Sequence, residues 1–538
     1  MHTKKWIVLF LSMIVVISVL SACGSNNAKK DGNSSAGENS AGNDKSNEPL
    51  TITFFDKNTG DKFSNAVAAE ITKRTGITVE IQQPTGNPAE KLNLMLASDD
   101  LPDLIMFERS SDLVNKYIES GAIIPLNDLI EKHGPDVATM YGDVLNKTRY
   151  KDGKNYYLSN WYGFENEPVF GFNMRKDILK ELAPDKAEGG VPFTETEFKQ
   201  LLLDFKAKYP TMDGKETIAL SMDGENFGGT LGTFKGMFGM LPFYDENGEL
   251  KFDVKDPQYR KMILYMNDLY STGLIDKEWA INKKQAWEQK LATGSVFAST
   301  GAYWDAGGAN TILKKDRGEE SQLFPYKVVV DGVDPAKTTY GGRSSLGWDA
   351  ITITKKNKDP ERTMKFMNFL ASEEGQYLLM WGIEGQHWDM KDGKHTPRPE
   401  VLQSFKDDWN AYTKESGIRK WTWFIKNGNG SDGTPYDLAG RFERGAVDQM
   451  ALKNLSDSVY DSVLFDGLGP QGGTPEALNE QKVNDIVKQG LTKAIMAKSP
   501  EEANSIFDKM LSDMKAAGDT KVEAIYTTNY KNRVELWK

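Results

Sequence analysis

Cysteine and histidine are scarce in this 538-residue chain, which has one cysteine and four histidines. A single cysteine excludes an intrachain disulfide framework, and so few histidines leave little material for a histidine-rich metal site. Lysine and arginine are also in deficit, with 66 of them against 77 acids and a formal charge of -11. Because nucleic-acid binding requires a basic surface that neutralises phosphates, we expect no nucleic-acid partner. The mean hydropathy of -0.53 excludes a polytopic membrane protein.

Sequence motifs for catalysis are absent as well. The chain contains no glycine-rich phosphate loop ending in Gly-Lys-Ser or Gly-Lys-Thr, no HExxH and no CxxC pair. Residues 341–345 are rich in glycine and serine but lack the spacing of a nucleophile elbow. Residues 56–61 loosely resemble a calcium loop but lack its glycine at the sixth position, and the closing glutamate of such a loop is also missing. We therefore expect no catalytic residue, no metal and no cofactor, although 77 acids leave open the carboxylate pair of a glycosidase.

The N-terminal segment has the pattern of a bacterial lipoprotein signal. Lys4 and Lys5 precede an uncharged apolar run over residues 6–20, and the sequence Leu-Ser-Ala-Cys-Gly that follows resembles a lipobox. We predict a signal peptide over residues 1–22, lipidation of Cys23 and a flexible polar tether over residues 23–49. An ordinary signal peptide and a single transmembrane anchor are the alternatives, and the run is short for an anchor. The prediction places the folded part on the extracytoplasmic face of the cell membrane.

Strand and helix patterns alternate at the start of the folded part. Residues 50–55, 77–81 and 103–107 have strand patterns, and an amphipathic helix pattern lies between the first two. This order predicts parallel βαβ units and an α/β fold, followed by a second half rich in helix. Ligands of such sheets bind at the carboxyl ends of the strands, where Asp56 and Glu108 stand.

Tryptophan is frequent, at 12 residues, and it clusters beside acids and glycines. Five such clusters stand in loop-like stretches: residues 160–165, 303–305, 343–349, 387–389 and 421–423. Flat aromatic faces flanked by polar side chains suit sugar rings, which present apolar C–H faces and hydroxyl edges. The alternative for any one tryptophan is burial in the core of a large domain.

Several segments resemble extracellular solute-binding proteins of the family 1 type, which serve carbohydrate ABC importers, and in particular their LplA-like lipoproteins. The segments are KRTGITVE (73–80), LPDLIMF (101–107), YKDGKNYYL (150–158), GFNMRKDILKEL (171–182), YMNDLYSTGLIDKE (265–278), WGIEGQHW (381–388) and residues 348–376. The likeness extends over residues 50–538 and identifies the class of protein better than its ligand.

The resemblance implies a two-lobed, periplasmic-binding-protein-like α/β fold of type II, with a cleft between the lobes and a hinge of several strands. The implied N-terminal lobe comprises residues 50–169 and 326–378, and the C-terminal lobe comprises residues 170–325 and 379–538. We place the chain crossings near residues 168–172, 324–330 and 376–384. Closure of the lobes around a ligand then presents the protein to a permease.

Ten side chains are the candidate ligand contacts of this cleft. The predicted stacking platforms are Trp161, Trp304, Trp348 and Trp388. The predicted partners of sugar hydroxyls are charged, because charged groups make the stronger hydrogen bonds: Asp56, Glu108, Glu165, Asp305, Arg343 and Asp349.

The predicted function is capture of an oligosaccharide, such as a plant cell-wall fragment, by a lipid-anchored monomer that delivers it to the permease subunits of an ABC importer. The acidic chain gives no steering toward anions, which favours neutral sugars. A binding protein for peptides or other small solutes is the alternative within the class. Outside the class, a surface-attached polysaccharide hydrolase or lyase and a sugar-binding sensor or adhesion module remain open.

Overall fold

The described part of the chain comprises residues 48–84 and 86–537 of a computed structural model. The predicted signal peptide, the lipidated Cys23 and the tether up to residue 47 lie outside the described residues. Over the described ranges, no helix is long and apolar enough to cross a bilayer.

Strands are short over most of the described chain. In chain order they are β1 (Leu50–Phe55), β2 (Ile77–Gln82), β3 (Leu104–Glu108), β4 (Leu158–Asn160), β5 (Phe170–Arg175), β6 (Phe193–Thr194), β7 (Thr211–Met212), β8 (Lys215–Glu216), β9 (Ile218–Ser221), β10 (Phe243–Glu246), β11 (Glu249–Phe252), β12 (Val296–Ala302), β13 (Leu323–Tyr326), β14 (Val328–Val329), β15 (Gly341–Arg343), β16 (Asp349–Ile353), β17 (Trp388–Lys391), β18 (Lys394–Pro397) and β19 (Val459–Asp461).

Helices become longer toward the C-terminus. In chain order they are α1 (Ala66–Thr75), α2 (Pro88–Ser98), α3 (Asp112–Glu119), α4 (Asn127–His133), α5 (Pro135–Tyr141), α6 (Asp143–Lys147), α7 (Lys176–Leu182), α8 (Glu195–Lys208), α9 (Phe227–Met237), α10 (Pro257–Ser271), α11 (Lys284–Ala292), α12 (Gly307–Arg317), α13 (Pro360–Ala371), α14 (Glu373–Trp381), α15 (Pro399–Asp407), α16 (Trp409–Ser416), α17 (Ala446–Leu455), α18 (Pro475–Ile495), α19 (Pro500–Ala517) and α20 (Asp519–Leu536).

The first sheet has the order β2-β1-β3-β16-β4. Strand β1 runs parallel to β2 and β3, whereas β16 runs antiparallel to β3 and β4. Strand β16 is buried throughout and β3 is buried up to its last residue, because separate apolar clusters cover the two faces of the sheet. The three strands predicted from the N-terminal pattern therefore lie together, with the carboxyl ends of β1 and β3 at one edge.

The second sheet has the order β13-β5-β12-β9. Its central strand β5 is antiparallel to both β12 and β13, and β9 is parallel to β12. Helix α8 packs below it through Phe198, Leu202 and Phe205. That helix begins with the expected capping box, in which Thr194 and Glu197 exchange side-chain and backbone hydrogen bonds.

Each sheet has its own hydrophobic core, and these cores define two lobes. In the first lobe, the larger core combines residues from 52–162 with residues from 351–438. In the second lobe, the core combines residues from 172–340 with residues from 450–526. The chain therefore passes between the lobes in three segments, residues 163–169, 341–348 and 439–449.

The placement of two crossings differs from the sequence-based expectation. Residues 324–330 lie inside the second lobe, because β13 pairs antiparallel with β5 over Leu323–Tyr326. Residues 376–384 lie inside the first lobe, where α14 buries Tyr377, Leu378 and Trp381 in the core. Residues 379–438 consequently belong to the first lobe and residues 326–340 to the second, the reverse of the predicted boundaries.

Candidate ligand-binding site

A cavity of about 290 Å³ lies where strand ends of the first lobe meet the crossing segments, and we call it the tryptophan cavity. Most of its wall comes from the turns after β3 and β4 and from residues 342–348, which precede β16. The lining residues are Glu108, Arg109, Ser110, Trp161, Gly163, Glu165, Gly342, Arg343, Ser344, Gly347, Trp348, Asn427 and Asp466. This position at the carboxyl end of β3 is the one that the α/β pattern predicts for a ligand.

Two stacked tryptophans form one wall of the cavity. The ring centroids of Trp161 and Trp348 lie 5.7 Å apart with an interplanar angle of 18°. Trp348 is 46% exposed although it is a large apolar residue. An exposed, oriented aromatic face in a concave site is suited to stacking against an apolar ring face of a ligand.

The backbone around this pair is held in uncommon conformations. Trp161 has a φ of 56°, in the left-handed region that few non-glycine residues adopt. Gly347 has a φ of 68°, and a Cβ atom there would collide with the carbonyl oxygens of Asn160 and Trp161. The Asn427 side chain donates from Nδ2 to the Trp161 oxygen at 3.2 Å and to the Gly163 oxygen at 3.0 Å. These contacts hold the backbone at Trp161 and leave no room for a side chain at residue 347.

A third predicted platform approaches from the second lobe. Trp304 lies in a short 3-10 helix, Tyr303–Ala306, directly after β12, and is 48% exposed. The Arg343 guanidinium lies 5.9 Å from the Trp304 ring centroid, at the boundary of the tryptophan cavity. The two lobes thus both offer exposed tryptophan faces to one region of the molecule.

Three of the predicted charged partners line the same cavity: Glu108, Glu165 and Arg343. The Arg343 Nη1 atom lies 3.9 Å from Glu165 Oε2, and its Nε donates to the Glu167 oxygen at 3.2 Å. Burial raises the pKa of Glu165, and the positive charge of Arg343 opposes that shift. These side chains can offer both acceptors and donors to sugar hydroxyls.

Asp349 and Asp56 lie beneath the cavity rather than in it. Asp349 is fully buried, where Lys57 Nζ lies 2.7 Å from Oδ1, and Asn58 and Asn160 donate to Oδ2 at 3.0 and 3.2 Å. Asp56 is also buried, and its Oδ2 accepts from Trp423 Nε1 at 2.8 Å. Both carboxylates thus have partners within the first lobe, so they support the strand ends from below.

The remaining two predicted residues lie away from the lining of the cavity. Asp305 stands beside Trp304, with an oxygen 3.8 Å from Lys284 Nζ, and burial raises its pKa. Trp388 is only 8% exposed and packs in the core of the first lobe, with its Nε1 donating to the Gly382 oxygen at 2.9 Å. Its ring lies 4.4 Å from that of His395. Trp388 is therefore a core residue and not a stacking platform. Burial in the core was the alternative for any one tryptophan.

Asp432, which holds the His395 ring beside Trp388, gives the first testable prediction. Its Oδ2 accepts from His395 N at 2.7 Å and lies 2.8 Å from Nδ1, while Oδ1 accepts from Thr434 N at 2.9 Å. Burial alone would raise the pKa of Asp432, but the hydrogen bonds from Thr434 and His395 outweigh it and lower the pKa well below its usual value. A carboxyl group whose pKa is lowered by folding stabilises the protein above its unfolded pKa of about 4, and that contribution is lost as the pH falls further.

We therefore expect Asp432→Asn to cost about 1–3 kcal/mol of unfolding free energy at pH 7. The difference from wild type should shrink as the pH falls below about 4. Urea unfolding at pH 7, 5 and 3.5 measures this difference in unfolding free energy. The matched control is Asp407→Asn, which changes an exposed aspartate. A difference that is constant with pH would show that the charge of Asp432 does not stabilise the fold.

Sequence reasoning missed five polar residues of the cavity: Arg109, Ser110, Ser344, Asn427 and Asp466. Arg109 Nε donates to the Gly347 oxygen at 2.8 Å, and its Nη2 lies 2.6 Å from Asp466 Oδ2. The position of Arg109 directly after Glu108 at the end of β3 was a usable signal, because that strand end was already predicted to face the ligand. Asn427 and Asp466 had no such signal in the sequence.

The described residues contain no group of three or more histidine, cysteine, aspartate or glutamate side chains placed to hold a metal ion. The carboxylates of residues 56–61 have other partners. Asp56 Oδ1 accepts from Asn58 N at 2.8 Å, and Asp61 forms ion pairs with Lys414 and Lys420.

The sequence over residues 66–384 matches the family described as bacterial extracellular solute-binding protein. This span is more than half of the chain, and the chain belongs to that family. The class of protein predicted from the short segments is thereby confirmed.

Individual relatives have low sequence identity to this chain, but their alignments cover much of it. The chain is 24% identical over 543 residues to the polygalacturonan/rhamnogalacturonan-binding protein YtcQ of Bacillus subtilis strain 168, covering 98% of this chain and 99% of that protein. It is 25% identical over 406 residues to the fructooligosaccharide ABC transporter substrate-binding protein FusA of Streptococcus pneumoniae serotype 4, covering 69% of each chain.

Among solved structures, the alginate-binding protein AlgQ2 without calcium ion resembles this one with a TM-score of 0.64 and 22% sequence identity. The match covers 90% of this chain and 98% of that chain. The likeness shows the fold, and the predicted two-lobed α/β architecture of a solute-binding protein is confirmed.

Proposed function

We propose that this protein is the lipid-anchored binding subunit of an ABC importer and that it captures an oligosaccharide between its lobes. The observation that carries the proposal is the exposed stack of Trp161 on Trp348 inside a cavity lined by charged and polar groups. Trp304 faces the same region from the second lobe. Apolar faces rimmed by hydrogen-bonding groups recognise sugar rings better than they recognise peptides, whose backbones need ladders of donors and acceptors.

The names of the two relatives support a carbohydrate ligand and leave its charge open. YtcQ is described as binding polygalacturonan and rhamnogalacturonan, and FusA as binding fructooligosaccharide for an ABC transporter. A lipid on Cys23 accounts for how an extracytoplasmic protein stays near its permease. Because the family consists of binding proteins, we propose that this chain releases its ligand chemically unchanged.

Thermal unfolding with a panel of oligosaccharides tests the proposal. A ligand that binds only the native state stabilises it by about 2.7 kcal/mol at a free concentration of 100 times its Kd. We expect at least one pectic, xylan-derived or fructose-based oligosaccharide to raise the unfolding temperature, and di- and tripeptides to leave it unchanged.

Two results would contradict the proposal. Stabilisation by peptides alone would support the small-solute alternative. Release of reducing ends or unsaturated products from a bound polysaccharide, measured by chromatography after long incubation, would identify an enzyme instead.

A further inference from the structure

A second and larger cavity, of about 1570 Å³, adjoins the tryptophan cavity, and we call it the outer cavity. Both cavities are lined by Arg109, Ser110 and Asp466, so they meet at these residues. The first lobe contributes α3 and residues 147–157 to its wall, and the second lobe contributes residues 465–481 and α20. Its volume exceeds the about 300–1,000 Å³ of a typical small-ligand pocket, which suits an oligomer.

Two arginines and one aspartate lie close together where the two cavities meet: Arg109, Arg533 and Asp466, beside the phenol of Tyr157. The rest of the outer cavity is lined by five further carboxylates and three further cations: Asp112, Glu119, Glu476, Glu480, Glu535, Lys147, Arg149 and Lys151. Asp466 Oδ2 lies 2.6 Å from Arg109 Nη2 and so neutralises that guanidinium. Arg533 Nη1 donates to the Leu464 oxygen at 3.0 Å, and Arg533 forms no ion pair with a carboxylate of the described residues.

The pKa shifts of these groups show that they interact with one another. Burial lowers the pKa of Arg533, the nearby Arg109 lowers it further, and Asp466 opposes the shift. Burial also raises the pKa of Tyr157, so its hydroxyl stays protonated and can donate a hydrogen bond at neutral pH.

Several acids of the outer cavity are engaged elsewhere. Glu119 accepts from Lys151 Nζ at 2.8 Å and also from Gln471 of the second lobe. Asp112 pairs with Lys116 at 2.8 Å, and Glu480 accepts from the Tyr526 hydroxyl at 2.5 Å. Glu476, in the first turn of α18, and Glu535 also line the cavity. Arg149 and Arg533 are the lining cations that donate to backbone oxygens and form no ion pair with a described carboxylate, and Arg533 is the one that lies near Arg109.

We propose that the ligand extends from the tryptophan cavity into the outer cavity and carries a carboxylate, as in a uronic-acid oligosaccharide, that binds at Arg109 and Arg533. Guanidinium groups present planar pairs of donors that match a carboxylate. This inference rests on the proposed function, and it replaces the expectation of a neutral sugar with an acidic one.

Calorimetric titration with matched acidic and neutral ligands tests this inference on the unmodified protein. The probes are trigalacturonate, a mannuronate trimer and a glucuronate-substituted xylotriose, each compared with its own methyl ester, together with neutral fructose-based trisaccharides. We expect at least one acid to bind about tenfold more tightly than its ester, since a charged hydrogen-bond partner is worth that much or more. The difference should decrease with added salt.

The outcomes separate the two proposals. If acid and ester bind equally, or if only neutral sugars bind, the carboxylate site is disproved and the proposed function stands. If no oligosaccharide binds at all, the proposed function fails, and the carboxylate site fails with it.

Variants of Arg533 then locate the carboxylate. Arg533→Gln should lower the affinity for the acidic ligand about tenfold and leave the affinity for its methyl ester unchanged. Arg533→Lys should retain most of the preference for the acidic ligand. Lys531→Gln removes an exposed charge from the same helix and should change neither affinity. Equal weakening of acid and ester by Arg533→Gln would assign this residue a structural role and overturn the inference. If that variant fails to fold, the affinities of the unmodified protein for the acid and its ester still decide whether a carboxylate site exists.

Discussion

Replacing Trp348 by alanine is expected to weaken oligosaccharide binding about 30-fold, which corresponds to about 2 kcal/mol for a central aromatic contact. The ring is half exposed in the free protein and is held flat by stacking on Trp161. A ligand therefore gains an oriented apolar face without ordering a mobile side chain. Titration calorimetry with the best oligosaccharide from the thermal screen measures the change, and the unfolding temperature should change little.

Trp409→Ala is the matched control for this variant. Trp409 is 36% exposed and packs against Phe405 and Phe442, outside the lining of the tryptophan cavity. We expect it to bind with unchanged affinity. If Trp348→Ala binds as tightly as wild type, or if both variants lose affinity equally, the stacked pair is not the sugar platform.

Replacing Lys57 by methionine is expected to lower the unfolding free energy by about 3–5 kcal/mol, the cost of leaving a buried charge without its partner. Asp349 is fully buried and its nearest cation is Lys57 Nζ, at 2.7 Å. Burial lowers the pKa of Lys57, but its ion pairs with Asp349 and Glu108 outweigh that effect and raise it. Urea unfolding of the purified variant at pH 7 measures the loss.

Two further variants make this prediction specific. Lys62→Met removes an exposed lysine from the same loop and should cost almost nothing. Adding Asp349→Asn to Lys57→Met removes the unpaired charge, so the double variant should recover most of the lost stability. Equal losses in the single and double variants would contradict the argument, because the cost would then come from packing rather than from charge.

Local patterns predicted the helices and strands well, but they predicted less well which lobe each of them packs in. The β1 pattern and the Thr194 capping box depend on residues close in sequence, and both are found as expected. The two misplaced crossings depend on long-range packing. The apolar face of α14 indicates that the helix is buried, but a hydrophobic face does not specify which of two cores will cover it.

The candidate site illustrates the same limit. Trp348 and Trp388 are each followed by aspartate, yet Trp348 lies in the cavity and Trp388 lies in the core. Their packing partners distinguish them, since the Trp388 ring lies near Tyr377 of α14 and His395 of the paired strand β18. Arg109 and Asp466, which join the two cavities, are 357 residues apart, so no local pattern could pair them.

The division of the aromatic rings between the lobes has a kinetic consequence. Trp161 and Trp348 are both attached to the first lobe, since Trp161 packs against its core and the Trp348 oxygen accepts from Arg109 N at 2.7 Å. Trp304 belongs to the second lobe. Under the proposed function, the first lobe therefore carries a preformed half of the binding site. We expect association to be set by diffusion onto that half, and the residence time to be set by the contact that Trp304 adds from the second lobe.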